Sequence, residues 1–365
     1  MANYFELDFL EVHSSKSGDA ITIRYEVGGE TFIHVVDGGY VATGEKIVEH
    51  INNHYGPLSY IDHVVATHND GDHACGLRVV LESFPVGTLW LLRPWLYAEE
   101  LLPRFATYNS VDRLRSRLRS IYSNLAALEE IAEERGINIQ EPFQGSQIGA
   151  FTVLAPTRTR FLDLVVASDK TPEAAEPAER GVLEEIATAA EGYIKKAINL
   201  IRAAWGAEVF STDETSAENE MSVVQYANIC DKKILLTGDT GRGGLAEAAD
   251  YAPTAGLFLP GITYFQVPHH GSRRNVSTEL LDRWLGQRLD TPVPKGSEKF
   301  TAIISAASED EDHPRKAVVR ACMHRGARVV STDDGKGQKI FYANIPLRKG
   351  WVVATPLDYP TDQEA

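Results

Sequence analysis

An α/β sandwich is the fold this sequence predicts, on three observations. Apolar runs of strand length recur along the chain, helical spacing separates several of them, and some of the runs end on His or Asp. The first part of the chain reads FELDFLEV, AITIRYEV, TFIHVVDGG, IDHVVATH and TLWLLRPW as strands, with EKIVEHINNHY and CGLRVVLESF as helices between them. The order β-β-β-α-β-α-β sets helices against a sheet. Strands return at FTVLAP, SVVQYANI, KKILLTGD, TYFQVPHH, KFTAIISAA, ARVVSTDD and KIFYANI.

The middle of the chain differs. Val111, Leu114, Leu118, Ile121, Leu125, Leu128 and Ile131 step by three and four, which predicts one long helix through Glu134, stopped by Gly136. The stretch DKTPEAAEPAERG reads as an exposed linker, followed by a helix from Val182 to about Ala204. Residues 1–365 are therefore read as a single domain with helical insertions near 100–140 and 160–210. The 111–131 seam spans only about three heptads, so it is expected to pack onto the domain, with a homo-oligomer through this helix as the alternative.

With 365 residues the chain is long enough to bury a substantial core. No apolar run of about eighteen residues occurs, and MANYFELDFLEVHSS lacks the basic and apolar regions of a signal peptide. A cytoplasmic protein with no membrane span is the expectation. Cys75, Cys230 and Cys322 are far apart and in no C-x-x-C spacing, which predicts neither a disulfide framework nor a thiolate metal site; all three are read as small buried apolar residues. A formal net charge of -15 argues against coating nucleic acid through broad electrostatics. A local positive site is still allowed, because metal-binding carboxylates count towards that total and bound cations reverse the field around them.

The segment Val64-Val65-Ala66-Thr67-His68-Asn69-Asp70-Gly71-Asp72-His73 carries the strongest chemical signal. A strand delivers two imidazoles and two carboxylates into one tight loop, in which Gly71 is expected to allow backbone geometry that a side chain would resist. Mixed carboxylate and imidazole donors suit Zn²⁺, Mn²⁺ or Fe²⁺. Two later segments have the same form. Ile234–Leu236 leads into Thr237-Gly238-Asp239, and Tyr264–Val267 leads into Pro268-His269-His270-Gly271-Ser272. Open α/β folds place their sites at such strand ends.

His68-x-Asp70-x-Asp72-His73, Thr237-Gly238-Asp239 and Val267-Pro268-His269-His270-Gly271-Ser272 together resemble the metallo-β-lactamase superfamily, and within it the branch similar to the soluble hydrolase domain of the competence DNA-uptake protein ComEC. Gly18-Asp19-Ala20, Val36-Asp37-Gly38-Gly39, Asn219 with Ser222-Val223-Val224, His313-Pro314 and Ser331-Thr332-Asp333-Asp334-Gly335 occur in that branch's order. The resemblance implies an αβ/βα four-layer sandwich with helical insertions. It implies that His68 and Asp70 serve one metal, that Asp72 and His73 serve the other, and that Asp239 bridges them. His269 is read as the remaining ligand, and His270 as orienting its neighbour or meeting substrate, since adjacent side chains on a strand point apart. His313 resembles a late-motif histidine that donates a proton.

Two departures from the wider superfamily matter. Asp70 stands where a second histidine is usual, and no histidine lies between His73 and His269 to serve as the third-motif ligand. Two divalent ions, Zn²⁺ or Mn²⁺ with Mg²⁺ also compatible, are expected, and the nitrogen-poor site is expected either to prefer Mn²⁺ or Mg²⁺ over Zn²⁺ or to be weakly occupied.

The activity implied is metal-dependent hydrolysis by an activated water, with Asp72 orienting it and His313 protonating the leaving group. A phosphodiester in nucleic acid or nucleotide is the first expectation, with Asn219, His270, Ser272, Arg273 and Arg274 meeting substrate. Arg113, Arg115, Arg117 and Arg119, with Arg104, offer a second basic strip, although at one-residue alternation they fan around a helix and read better as solvated surface. The alternatives are a hydrolase of a small lactam, lactone or thioester, and a catalytically weak metal-binding scaffold that works through a partner protein.

Overall fold

The structure is a computed structural model, and it describes residues 3–56, 60–171, 200–332, 338–351 and 353–364. Two seven-stranded sheets form its centre. The first holds β1 (Phe5–Phe9), β2 (Ala20–Val27), β3 (Glu30–Gly38), β4 (Ile61–Val65), β5 (Val86–Trp90) and β6 (Asn138–Gln140), with β15 (Lys339–Ala343) returning from far along the chain, in the order β15-β1-β2-β3-β4-β5-β6. The second holds β7 (Gln147–Ile148), β8 (Phe151–Ala155), β10 (Val224–Ile229), β11 (Lys232–Leu236), β12 (Tyr264–Gln266), β13 (Phe300–Ile304) and β14 (Ala327–Ser331), in the order β14-β13-β12-β11-β10-β8-β7. In each sheet four neighbouring strands run parallel, β3 to β6 in one and β11 to β14 in the other, and the remaining pairs are antiparallel.

The sheets pack face to face. Phe5 and Ile23 of the first and Phe151, Val153 and Ile234 of the second share one fully buried cluster, and the Phe5 ring meets Tyr264 across the interface. The outer faces are covered by α1 (Val41–His54) and α3 (Leu77–Ser83) on one side, and by helices Arg242–Tyr251, Thr278–Leu285 and Lys316–His324 on the other. The result is the four-layer αβ/βα arrangement that the resemblance implied. Among the described residues, no helix is long and apolar enough to cross a membrane.

Four sequence expectations need correction. The long helix through Glu134 is two helices, Val111–Ile121 and Ser123–Glu134, broken at Tyr122 with φ -95° and ψ 50°. The cause lies outside the segment. Asn69 accepts from the backbone N–H groups of Asn124 and Leu125 at 3.2 and 3.3 Å and donates to the Ile121 carbonyl at 3.4 Å, so one side chain satisfies both helix ends at the break. Leu114, Leu118, Leu125 and Leu128 are buried in the domain's own core, and Val111, Ile121 and Ile131 pack against it. Asn69→Ala leaves those three groups unpaired, and a loss of about 2 kcal/mol in a denaturant titration is expected.

The helix expected to run to about Ala204 is the second. Its part at 182–199, like most of the linker before it, lies outside the described residues. Residues 200–202, expected at its end, form a strand instead, β9 (Leu200–Arg202), paired with β16 (Asp362–Glu364), while Arg320 takes the carbonyls of Ala203 and Ala204. The described helix of this insertion is Arg158–Ala167.

The third correction concerns Gly71, which is the first residue of a short ordinary helix, α2 (Gly71–Ala74), and has room for a side chain. The glycine that the site requires is Gly238, with φ +51°. Fourth, only Cys322 is buried. Cys75 is half-buried beside Asn124, and half-buried Cys230 (φ 54°) forms with Asp231 (φ 59°) the two-residue turn of the β10–β11 hairpin.

Candidate metal centre

The parallel strands of both sheets aim their carboxyl ends at one place. Asp37 is the penultimate residue of β3, the 66–70 loop and α2 come after β4, Thr237-Gly238-Asp239 after β11, and Pro268-His269-His270 after β12. Asp239, buried, stands in the middle. Its Oδ1 lies 3.3 Å from His73 Nε2, and its Oδ2 lies 3.6 Å from Nε2 of both His269 and His270 and 4.0 Å from His68 Nε2. Asp72 Oδ2 closes one side, 3.7 Å from His73 and 3.5 Å from His270, and Asp70 Oδ2 is 3.8 Å from His68.

The other ring nitrogens fix which nitrogen faces inward. His73 Nδ1 is 2.8 Å from the Asp37 carboxylate, and His270 Nδ1 is 2.9 Å from the Ser305 carbonyl; neither partner can donate, so both rings carry the hydrogen on Nδ1. Thr67 Oγ1 spends its own hydrogen on Asp37 at 2.7 Å and therefore accepts from His68 Nδ1 at 3.0 Å. Asn275 donates through Nδ2 to the Asp239 and Thr240 carbonyls, which leaves its Oδ1 to accept from His269 Nδ1 at 3.0 Å. Four Nε2 lone pairs thus converge on carboxylates.

Lone pairs turned toward carboxylate oxygens repel unless a cation or proton lies between them. The buried Nε2 atoms of His68, His73 and His270, with Oδ1 of Asp239 and of Asp19, have no hydrogen-bond partner. Buried polar atoms left in this way are rare and need an explanation. His68, His73 and Asp239 form one set of donor atoms within 4.8 Å of one another; Asp72, His73 and His270 form another, and Asp19, Asp239 and His270 a third. Imidazole with carboxylate, each ring oriented by a second acceptor, is the donor chemistry of a divalent metal site, and the residues fit one.

Without a cation the cluster holds protons instead. Burial opposes charge on His73, yet the Asp239 and Asp72 carboxylates raise it well above its ordinary value. Burial likewise opposes charge on His270, and Asp239, Asp72 and Asp19 raise it to about 9. Burial pushes Asp72 up, but His73 and His270 bring it down to about 2. Burial dominates at Asp19 and raises it to about 6.

The backbone is strained at the same place. Asp37, His269 and His270 have φ of 56°, 49° and 54°, in the left-handed region that non-glycine residues seldom occupy. This is why the rings of His269 and His270 do not point apart. Strand β12 ends at Gln266, and a left-handed turn brings both Nε2 atoms to the same oxygen of Asp239.

The remaining site residues spread around this centre. His313 stacks on the His269 ring with centroids 5.7 Å apart, and its Nδ1 is 3.2 Å from Asp310 Oδ2. Asn219, buried, puts Nδ2 3.3 Å from His269 Nδ1. Ser272 is buried and accepts from the Arg274 N–H. The Arg274 guanidinium pairs with Asp213 at the exposed surface, and the backbone carbonyl of Arg273 accepts from Ser211. Of the outlying arginines, Arg104 pairs with Asp163, Arg115 with Asp112, and Arg119 with Glu129 and Glu130.

Sequence reasoning gave no role to Asp19, Asp37, Thr67, Gln266, Asn275 or Ser305. Gly18-Asp19 and Asp37-Gly38 were visible as motif fragments; the others carried no sequence signal. Asp37 orients His73 and Thr67 at once, accepting from Thr67 N and Oγ1 at 2.8 and 2.7 Å. Asp37→Asn is expected to weaken metal binding roughly 10–100-fold while the fold persists, read by titration of the chelator-stripped protein.

Residues 20–139 match the model of the metallo-beta-lactamase superfamily. None of the curated proteins matches the chain. Among the solved structures similar to parts of it are the following two. A Thermotoga maritima protein of metallo-beta-lactamase type has 11% identity and a TM-score of 0.30, over 65% of this chain and 79% of its own. The hydrolase AbOPH of the beta lactamase superfamily has 10% identity and a TM-score of 0.31, over 60% of this chain and 56% of its own, so the match spans little more than half of that relative. The matched segment runs from β2 to β6 and includes the whole 68–73 loop. Over residues 20–139 the chain is thus similar to the metallo-beta-lactamase superfamily.

Proposed function

We propose that this protein is a metal-dependent hydrolase of phosphodiesters, in nucleic acid or nucleotide. The observation that carries the reading is the convergence of four Nε2 lone pairs on Asp239, each ring fixed by an acceptor on its other nitrogen. His68, His73 and Asp239 would hold one cation. Asp72 and His270, sharing Asp239, would hold the second, with Asp70 and His269 at the rim. Bound there, divalent cations lower the pKa of water and polarise a phosphoryl oxygen. The donor set is rich in carboxylate, which suits hard cations such as Mn²⁺ or Mg²⁺ beside Zn²⁺.

The chain's own residues then have separate tasks. Asp37, Ser305, Thr67 and Asn275 keep the four rings in the tautomer that presents Nε2. Asp72, a quarter exposed, reaches from the buried cluster towards solvent and orients the attacking water. Asp310 holds His313 through Nδ1 and takes Ser17 Oγ at 2.6 Å, and burial of Asp310 is outweighed by these bonds, which keep it ionised. His313, held in place by that contact and stacked on the His269 ring, supplies the proton for the leaving oxygen.

The test is hydrolysis of bis(p-nitrophenyl) phosphate and of labelled single- and double-stranded oligonucleotides by chelator-stripped protein resupplied with Mn²⁺, Mg²⁺ or Zn²⁺. Cleavage that returns with metal and is slowed about 10²–10⁴-fold by His313→Ala supports the reading. Metal uptake without phosphodiester cleavage contradicts it.

A further inference from the structure

Asp19 has no part in the two cation sets just described, yet it is among the most constrained carboxylates in the molecule. It is 1% exposed. Its Oδ2 accepts from Gln266 Nε2 at 2.9 Å, and its Oδ1 has no partner. Its donor atom lies within 4.8 Å of those of Asp239 and His270.

The backbone allows Asp19 little freedom. Its N–H donates to the Asp72 carbonyl at 3.1 Å, its carbonyl accepts from the Gly39 N–H at 2.7 Å, and the Gly18 carbonyl accepts from Ser305 Oγ at 2.7 Å. A Cβ at Gly18 would stand 2.5 Å from the Asp72 carbonyl, so the segment enters the site closer than any side chain permits. Residue 19 is thereby tied to the 68–73 loop on one side and to the end of β13 on the other.

Available hydrogens do not meet the need of Oδ1. The nearest imidazole N–H, on His73, is 3.7 Å from Asp19 Oδ2 but is directed at Asp37, 2.8 Å away. The Nδ1 hydrogen of His270 is spent on Ser305. Asp37 and Asp239 add charge of the same sign. A buried carboxylate in such company costs several kcal/mol unless a cation offsets it.

We propose that Asp19 is a direct metal ligand on the His270 side of Asp239, an oxygen donor that makes this half of the site carboxylate-rich. The inference rests on the reading that the cluster binds divalent cations. It gives that half Asp19, Asp72, Asp239 and His270 as donors.

The experiment uses the full chain, stripped with chelator, as wild type, Asp19→Ala, Asp19→Asn and Asp37→Asn. Mn²⁺ is titrated by calorimetry, and Co²⁺ by its visible absorption, which strengthens as the coordination number falls. Asp19→Ala is expected to weaken one of two ions at least about tenfold and to change the Co²⁺ band in position and intensity. Asp37→Asn, which removes an orienting contact, is expected to weaken binding with the band shape retained. Should Asp19→Ala fail to fold, Asp19→Asn is expected to show the same loss of Mn²⁺ affinity, with preference moving towards Zn²⁺.

A Co²⁺ spectrum of Asp19→Ala superposable on wild type would overturn the assignment, whatever the affinity, and would make Asp19 a positioning residue for His73 and Gln266. For the Asn variant, unchanged Mn²⁺ affinity and selectivity would do the same. Failure of wild type to take up any Mn²⁺ or Co²⁺ would instead remove the reading beneath it.

Discussion

Asp239→Asn is expected to lower metal affinity and metal-dependent hydrolysis by about 10³-fold or more. The substitution keeps the shape, the N–H bond to Ser222 and the two carbonyl bonds from Asn275, so the strand end stays in place. It removes the charge on which His68, His73, His269 and His270 converge. Loss of one partner from a buried charged set costs on the order of 3–5 kcal/mol, and about 4 kcal/mol is a factor of 10³. Parallel measurement of ion affinity and kcat/KM separates this from unfolding, which circular dichroism of the metal-free protein detects.

The largest effect on stability is expected far from that centre. Arg348→Leu removes the guanidinium from buried Asp8 and leaves buried Glu6 to Arg24 alone. The Arg348 guanidinium meets both oxygens of Asp8 at 2.9 and 2.8 Å and Glu6 Oε1 at 3.1 Å, and Asp8 also accepts from Tyr55 at 2.6 Å and lies 3.1 Å from His50. Asp8 is 0% and Glu6 1% exposed, so water cannot replace the lost partner. A loss of about 3–5 kcal/mol in unfolding free energy is expected at neutral pH. Burial pushes the Asp8 carboxyl up, and His50 and Arg348 more than reverse it, holding it below the usual carboxylate value. The stabilisation is therefore present above the unfolded carboxylate range and is lost as pH falls through the depressed folded value. The gap between variant and wild type should narrow in acid.

Much of this architecture was legible because local pattern and final environment agree. IDHVV, KKILL and FTAII are strands with buried positions in the structure as in the pattern, and each of the first two leads into a segment of candidate metal ligands. The break at Tyr122 was not legible. The heptad-like seam is continuous, and the group that ends one helix and starts the next is Asn69, more than fifty residues earlier. Gly71 misled for the opposite reason, since glycine in a turn-like loop reads as a conformational need, and here the residue begins a helix. Asp19 and Asp37 were visible as letters but not as site residues. Each sits beside a glycine, as turn aspartates do, and only the closing of the two sheets brings their carboxylates to His73.

His269 and His270 show where strand geometry was extended too far. Alternation sends neighbouring side chains to opposite faces only while the chain stays extended, and here three successive residues, His269 to Gly271, take positive φ.

Metal uptake by the chelator-stripped full chain, measured beside Asp239→Asn, tests the central claim most directly. The arrangement of donors predicts two divalent ions bound per wild-type chain, with stabilisation against heat that grows with free metal concentration. It predicts loss of both responses in the variant. Wild-type protein that takes up no Mn²⁺, Mg²⁺ or Zn²⁺, or a variant that binds them as tightly, would contradict it.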